Sequence, residues 1–162
     1  MNASPSDAQS AFVESMGRYW EGAGSTRVMG AIVGWLMVCE PAHQSASDLV
    51  SALRVSTGSV STQVRALVNY GLAETVTFRG DRTRYYQIRE GAWLAFMRAE
   101  QVRMDALSTL AAAGTRLLPA TRPERVTSLA DVASVLNEEW PRIMARLEDK
   151  RTSSAPFFEA ES

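Results

Sequence analysis

The segment 45–71, SASDLVSALRVSTGSVSTQVRALVNYG, constrains the fold most strongly because it contains the start signals of two short helices. Ser45 and Asp48 have the spacing of a capping box, in which a hydroxyl and a carboxylate satisfy the free N–H groups that open a helix. Ser56 can cap a second helix in the same way. The residues around Arg54 predict a tight turn between the two, so the segment predicts a helix-turn-helix.

The second of these helices has two contrasting faces. Its apolar residues recur at helical spacing and predict a buried stripe formed by Val60, Val64, Leu67 and Val68. The opposite face carries hydroxyls, one amide and one guanidinium but no acid: Thr57, Gly58, Ser59, Ser61, Thr62, Gln63 and Arg65. Such a face can enter the major groove of DNA. Any helical hairpin of a small globular domain can show this pattern, so the hairpin alone leaves both interpretations open.

A β-hairpin is predicted directly after Gly71, which is expected to end the second helix. Residues 73–78 alternate polar and apolar, residues 79–82 form a turn, and residues 83–89 are a second extended run. From residue 51 to residue 89 the chain has six arginines against two acids, a net charge of +4, which leaves −5 for the rest. A basic segment on an acidic chain is typical of nucleic-acid binding. Together with the two helices, the hairpin predicts a winged helix-turn-helix.

Three motifs resemble those of the MarR family of bacterial transcription regulators: YWEGAG at 19–24, the stretch 45–67, and GDRTRYY at 80–86 with Trp93 following. Within that family the sequence is most similar to the branch of glycine-betaine-synthesis repressors. The resemblance implies a homodimer that binds a palindrome-like operator in double-stranded DNA and releases it when a small ligand binds. Arg82 matches the arginine of the family's wing, and Thr83 separates it from Arg84, so both arginines are candidates for the minor groove.

The predicted DNA-binding residues come from the second hairpin helix and from the wing. Side chains of the helix are expected to read bases, and wing arginines are expected to bind phosphate or a narrow minor groove. The full predicted set is Ser56, Thr57, Ser59, Ser61, Thr62, Gln63, Arg65, Arg79, Arg82 and Arg84. The alternative is a winged helix that contacts an acidic protein. That interface would require exposed aromatic anchors on the helix, and its polar face has none.

Helices are also predicted on both sides of this lobe. A helix over 12–21 and an apolar helix over 26–39, capped by Ser25, precede it. A long helix over 91–118 follows the wing, and a last helix follows a capping box at Thr121, with Pro141 expected to kink or split it. The fold is therefore expected to be mainly α with a small β-hairpin wing. The expected parts are a disordered start (1–8), N-terminal helices (9–44), a DNA-binding lobe (45–90), dimerisation helices (91–150) and a tail (151–162).

The last helix carries an apolar seam that alternates steps of three and four residues, which is typical of a helix with a partner. The residues predicted to form a dimer interface are Phe12, Met104, Leu107, Leu129, Leu136, Trp140, Ile143 and Leu147. The alternative is that the terminal helices pack on each other within one chain. We favour the dimer because two recognition helices must be held about one DNA turn apart.

The branch resemblance also implies an effector, a quaternary-ammonium osmolyte or its precursor such as choline, in a pocket between the DNA-binding lobe and the dimer helices. In this sequence the residues expected to line that junction are Tyr19, Trp20, Trp35, Trp93 and Met97. Aromatic faces attract methylated cations, and an apolar or aromatic effector would use the same rings. Aromatic residues at helical spacing also form ordinary cores, so both interpretations stand.

The reactive residues of the sequence argue against an enzyme. His43 is the single histidine and is expected in a solvent-facing loop. The sequence has no histidine and cysteine cluster at metal-ligand spacing and no phosphate-binding glycine loop, so no cofactor or metal is expected. Cys39, the single cysteine, is expected to be a packed thiol rather than a redox switch. No apolar run is long enough to span a bilayer, and a cytoplasmic location is expected.

Overall fold

The computed structural model describes residues 5–117 and 124–153, and it divides into two compact units, residues 1–92 and 93–162. The elements of the first unit are α1 (Asp7–Gly22), α2 (Arg27–Val38), β1 (Gln44–Ser45), α3 (Ala46–Leu53), α4 (Thr57–Asn69), β2 (Ala73–Val76) and β3 (Tyr85–Ile88). The second unit contains α5 (Ala92–Thr115), apart from its first residue, and α6 (Glu124–Ser153). The predicted mainly helical fold with a small β wing is confirmed.

Helix α1 begins at Asp7, earlier than the expected start at residue 12. Its first turn is closed by a capping box in which the Ser6 hydroxyl accepts from the Gln9 N–H at 3.2 Å and the Gln9 side chain accepts from the Ser6 N–H at 2.9 Å. Residues 6–8 therefore belong to this ordered start, whereas residues 1–4 of the expected disordered segment lie outside the described residues.

Two glycines of α2 allow α1 to approach closely. A Cβ atom on Gly30 would lie 2.5 Å from the Met16 carbonyl oxygen, and one on Gly34 would lie 2.9 Å from the Met16 Cβ. The Gln9 amide also donates to the Val38 carbonyl at 2.7 Å, which joins the N-terminal end of α1 to the C-terminal end of α2. Helix α2 is capped by Thr26, whose hydroxyl accepts from the Met29 N–H, rather than by Ser25 as expected.

The helix-turn-helix forms as the sequence predicts. The Ser45 hydroxyl accepts from the Asp48 N–H, and the Asp48 carboxylate accepts from the Ser45 N–H, which starts α3. Helix α3 ends at Leu53 and is followed by Arg54, whose backbone is left-handed with φ 54°; the Ser56 hydroxyl then caps α4. The predicted buried stripe of α4 is confirmed for Val60, Val64 and Leu67 and is half-buried at Val68. Gly71, with φ 72°, follows α4 as expected.

A three-stranded antiparallel sheet in the order β1-β3-β2 forms the base of the wing. The pair β2–β3 was predicted, although both strands are shorter than expected, and Val76 lies opposite Tyr85. Strand β1, in which Gln44 lies opposite Tyr86, was not predicted. Gln44 is fully buried, and its side-chain oxygen accepts from the Trp35 indole N–H at 3.2 Å. This bond fixes the sheet to α2.

The second unit consists of two antiparallel helices. Arg98 pairs with Glu148, the Asn137 amide donates to the Ser108 hydroxyl at 3.0 Å, and Gly114 lies beside Val126. Helix α6 continues through Pro141, so of the two expected effects of the proline, a kink or a split, the split does not occur. Its expected cap, Thr121, lies outside the described residues. Among the described helices, none combines the length and apolarity needed to cross a membrane.

Candidate nucleic-acid interface

One side of α4 presents an open polar surface. Thr57, Gly58, Ser61, Thr62 and Arg65 are exposed, because the 3.6-residue helical repeat turns them away from the buried stripe. Ser59 and Gln63 are half-buried beside them. The Arg65 Nε atom donates to the Ser61 carbonyl at 3.0 Å, so the arginine lies along the helix with its guanidinium in solvent. We call these seven residues the α4 polar face.

Two of the predicted DNA-binding residues, Ser56 and Ser59, form the N-terminal cap of α4. The Ser56 hydroxyl accepts from the Ser59 N–H at 3.2 Å and donates to the Ser59 hydroxyl at 2.9 Å. This bonding satisfies part of the first turn and leaves other N–H groups pointing beyond the helix N-terminus. A helix N-terminus of this kind attracts phosphate through its dipole and its free N–H groups.

The wing loop between β2 and β3 is held by the carboxylate of Asp81. One oxygen of Asp81 accepts from the Thr83 N–H and the other from the Tyr85 hydroxyl, both at 2.8 Å. The bonds from the Thr83 backbone, the Thr83 side chain and Tyr85 lower the pKa of Asp81 below its ordinary value. The hydrogen bond to Asp81 in turn raises the pKa of Tyr85. The carboxylate therefore shapes the loop.

The three wing arginines project from this loop into solvent. Arg79, Arg82 and Arg84 are all exposed. Within residues 5–117 and 124–153, none of them forms an ion pair, since the nearest acid along the loop, Asp81, is bonded to Thr83 and Tyr85. Open guanidinium groups in the same unit as an acid-free helix face have the chemistry that DNA phosphates and base edges require.

His43 is not the solvent-facing loop residue that the sequence suggested. It is half-buried, with its ring centroid 4.7 Å from Phe78 and 5.2 Å from Tyr85. Phe78 and Tyr85 are themselves 5.4 Å apart, so three rings support the base of the wing loop. The interaction depends on the pairing of β1 with β3, which brings His43 onto the wing.

The aromatic residues predicted to line an effector pocket have different environments. Trp35 is 2% exposed and Trp20 is 9% exposed, so both rings are buried in the first unit, and their place in an effector pocket stays a prediction. Gly30 packs directly against Trp20, and Gln44 accepts from Trp35. Tyr19, by contrast, is 72% exposed. In the second unit, Trp93 is exposed and Met97 is half-buried.

The predicted dimer residues are only partly covered in one chain. Ile143 and Leu147 are exposed on α6, and Phe12 is exposed on α1. The others are half-buried: Met104, Leu107, Leu129, Leu136 and Trp140. The indole N–H of Trp140 is buried and has no acceptor among the described residues. Contacts between α5 and α6 therefore leave part of the seam open, as both the dimer and the single-chain hypotheses allow.

Cys39 lies buried at the end of α2. Burial raises the pKa of its thiol to about 11; the charge of Glu40 adds to the increase and a backbone hydrogen bond opposes it. A thiol with this pKa carries little thiolate at neutral pH, which favours a packed residue over a redox switch.

The fold and this surface define a winged helix-turn-helix protein. No protein-family model matches the chain. It is 38% identical to the HTH-type transcriptional regulator MmpR5 of Mycobacterium tuberculosis over 125 residues, which cover 77% of this chain and 76% of that protein. A solved structure of a transcriptional regulator matches with a TM-score of 0.75 and 34% identity, covering 88% of this chain and 99% of the other. The chain belongs to the HTH-type transcriptional regulators and binds DNA through its helix-turn-helix.

Proposed function

We propose that this regulator is a MarR-type repressor that binds a palindrome-like operator as a homodimer and is released by a small molecule. The observation that carries the proposal is the α4 polar face, which has no acid and lies in the same unit as three wing arginines that form no ion pair with any residue the structure describes. The names of the relatives support a regulator of transcription, and the surface supports direct contact with DNA.

Within this proposal, the helix and the wing contribute differently to binding. Ser59, Thr62, Gln63 and Arg65 project from a helix of a size that fits the major groove, so they read base edges. The wing arginines lie on a loop and bind phosphate or a narrow minor groove, which contributes affinity for any sequence. Ser56 and Ser59 also orient the helix N-terminus towards the DNA backbone.

The homodimer is supported by the apolar side chains that α5 and α6 leave uncovered. Ile143 and Leu147 are 40% and 38% exposed, although they continue a seam that is half-buried at Leu136 and Trp140. Covering such residues with the same helices of a second copy would remove them from water. A two-fold dimer would also present two α4 helices to two half-sites of one operator.

The proposal is tested by selecting bound fragments from the DNA of the source organism and measuring affinity with variants. Gln63→Ala should cost roughly 1–3 kcal/mol at one base position and leave random DNA unaffected. Arg84→Ala should weaken binding to all sequences and reduce the salt slope by about one counterion. Arg103→Ala, on the exposed surface of α5, is the control and should change neither quantity.

Two results would contradict the proposal. If the selected fragments share no sequence, the winged helix does not read DNA bases and the acidic-protein alternative gains support. If Gln63→Ala weakens specific and random DNA equally, the assignment of base reading to the α4 polar face is wrong.

A further inference from the structure

A cleft of about 510 Å³ opens within the first unit, between α1, α2 and the C-terminal end of α3. This volume lies in the range of small-molecule sites. Aliphatic side chains form much of its wall, including Val13 from α1, Val28 from α2 and Ala52 from α3. None of its lining residues is aromatic. The cleft therefore suits an aliphatic body better than a flat ring or a methylated cation, which would bind to ring faces.

The charges around the cleft leave one cation unpaired. Of the lining residues Glu14, Arg27 and Arg54, the first two bond to each other at 3.1 Å, and Glu14 also bonds to Arg18 at 3.2 Å. Arg54 is exposed and forms no ion pair within the described parts of the chain. A guanidinium group with open donors binds a carboxylate strongly because it presents parallel N–H groups.

Arg54 also occupies the connection between the two helices of the helix-turn-helix. Its φ of 54° is left-handed, a conformation that glycine adopts at lower cost at the end of a helix. Two residues later, Ser56 caps the recognition helix α4. A group that binds the Arg54 side chain therefore lies beside the start of the α4 polar face.

We propose that this cleft is an effector site for an aliphatic monocarboxylate, with the carboxylate on Arg54 and the chain along Val13, Val28 and Ala52. Binding neutralises a cation that precedes the recognition helix, so the anion competes with DNA phosphate and lowers operator affinity. Linkage requires that DNA weaken anion binding by the same factor. The effect on DNA rests on the operator binding proposed above, whereas binding of the anion does not.

The first test uses octanoate as the probe, titrated into the full-length protein by calorimetry, with octan-1-ol as the uncharged control. Arg54→Asn removes the cation, and asparagine tolerates the left-handed backbone. Octanoate should bind the wild type at millimolar concentration or tighter, and about tenfold more weakly to Arg54→Asn. Arg116→Asn, an exposed arginine outside the cleft, should bind as the wild type does. No octanoate binding, or equal affinity in all three proteins, overturns the proposal.

A second variant tests the location independently of charge. Ala52→Met adds side-chain volume to the cleft from α3 and keeps Arg54. It should lose octanoate binding while its thermal unfolding remains cooperative; unchanged octanoate binding overturns the assignment of the cleft.

Operator affinity, measured with and without saturating octanoate, tests the regulatory effect. It should fall about tenfold in the wild type and remain unchanged in Arg54→Asn. Arg54-dependent octanoate binding without a change in operator affinity overturns the regulatory role. Absence of sequence-specific DNA binding, with Arg54-dependent octanoate binding intact, contradicts the proposed function and supports the anion site.

Discussion

The two units differ in how they bury apolar residues. In the first unit, large side chains such as Ile32, Leu49 and Leu67 are completely removed from water. In the described part of the second unit, the buried apolar residues are Ala111, Ala133 and Met144, whereas several larger side chains remain exposed: Val102, Leu110, Val132 and Val135 are each more than half exposed. The first unit therefore has a core of its own, and the second has surface that another copy can cover.

The physical consequence of this difference is a different source of stability. A fully buried Leu or Val side chain contributes about 1.5–3 kcal/mol, which the first unit obtains within one chain. The second unit obtains the same contribution from its exposed residues only when they are covered, so its stability depends on protein concentration if it dimerises. A substitution that disrupts the first unit should therefore lower stability at any protein concentration. A substitution that disrupts the second unit should lower stability by weakening dimer formation.

The largest expected effect is that of Gly30→Val, which attacks the core of the first unit. Its new Cβ would lie 2.5 Å from the Met16 carbonyl oxygen and 2.7 Å from the Trp20 Cβ, so α1 and α2 must separate. We expect a loss of about 3 kcal/mol or more in the free energy of unfolding, measured by urea denaturation. Gly22→Ala is the control, since a Cβ there meets nothing within 4 Å. Equal stability of the two variants would show that the helices are not held by close packing.

An intermediate effect is expected from Ile143→Asp, which places a charge on the open part of the second unit's seam. Desolvation of this carboxylate between two copies should cost about 2 kcal/mol or more and shift the protein from dimer to monomer in analytical ultracentrifugation. The first unit should keep its unfolding transition. Arg142→Asp introduces a carboxylate at the neighbouring exposed position of α6, about 100° around the helix from Ile143 and outside the apolar seam, and should leave the dimer intact. A stable Ile143→Asp dimer would favour packing of the seam within one chain.

The smallest expected effect concerns the surface of the first unit, where Asp81 holds the wing loop. Because the folded-state pKa of Asp81 is lowered, its bonds to Thr83 and Tyr85 contribute above the ordinary carboxyl pKa and are lost as pH falls through the lowered value. The Thr83 amide resonance should therefore shift in acid, below the ordinary pKa of an aspartate. Asp81→Asn should abolish that shift and leave the core transition nearly unchanged. If the Thr83 amide resonance still shifts in Asp81→Asn, the titrating group is not Asp81.

The parts of the fold that the sequence predicted are those with local signals. Ser45 and Ser56 start α3 and α4 because each cap needs only residues within one turn, and Gly71 follows α4 for a similarly local reason. Strand β1 could not be predicted, since two residues show no alternation and form a strand only by pairing with β3. The misplacement of His43 follows directly, because its contacts depend on that pairing.

The candidate site also has features that local sequence signals predict and features that depend on residues distant in the sequence. Helical periodicity alone turns the α4 polar face away from the buried stripe, so the sequence predicted this surface, although Ser59 and Gln63 are half-buried. Periodicity cannot distinguish a core aromatic from a pocket aromatic, so the sequence left both interpretations open for Trp20 and Trp35, which the structure buries in the first unit. The cleft beside Arg54 was invisible in the sequence because its walls come from three helices, and only the approach of α1 to α2 depends on glycine contacts.

The burial of Cys39 has a practical consequence for spectroscopy of this regulator. With a pKa of about 11, the thiol is deprotonated in only about one molecule in a thousand at pH 8, where maleimide and spin-label reagents are normally used. A second cysteine introduced on an exposed wing position such as Thr83 would react far faster. The natural protein therefore accepts a label at a chosen position without prior removal of its own cysteine, and wing movement on DNA can be followed in an otherwise unaltered chain.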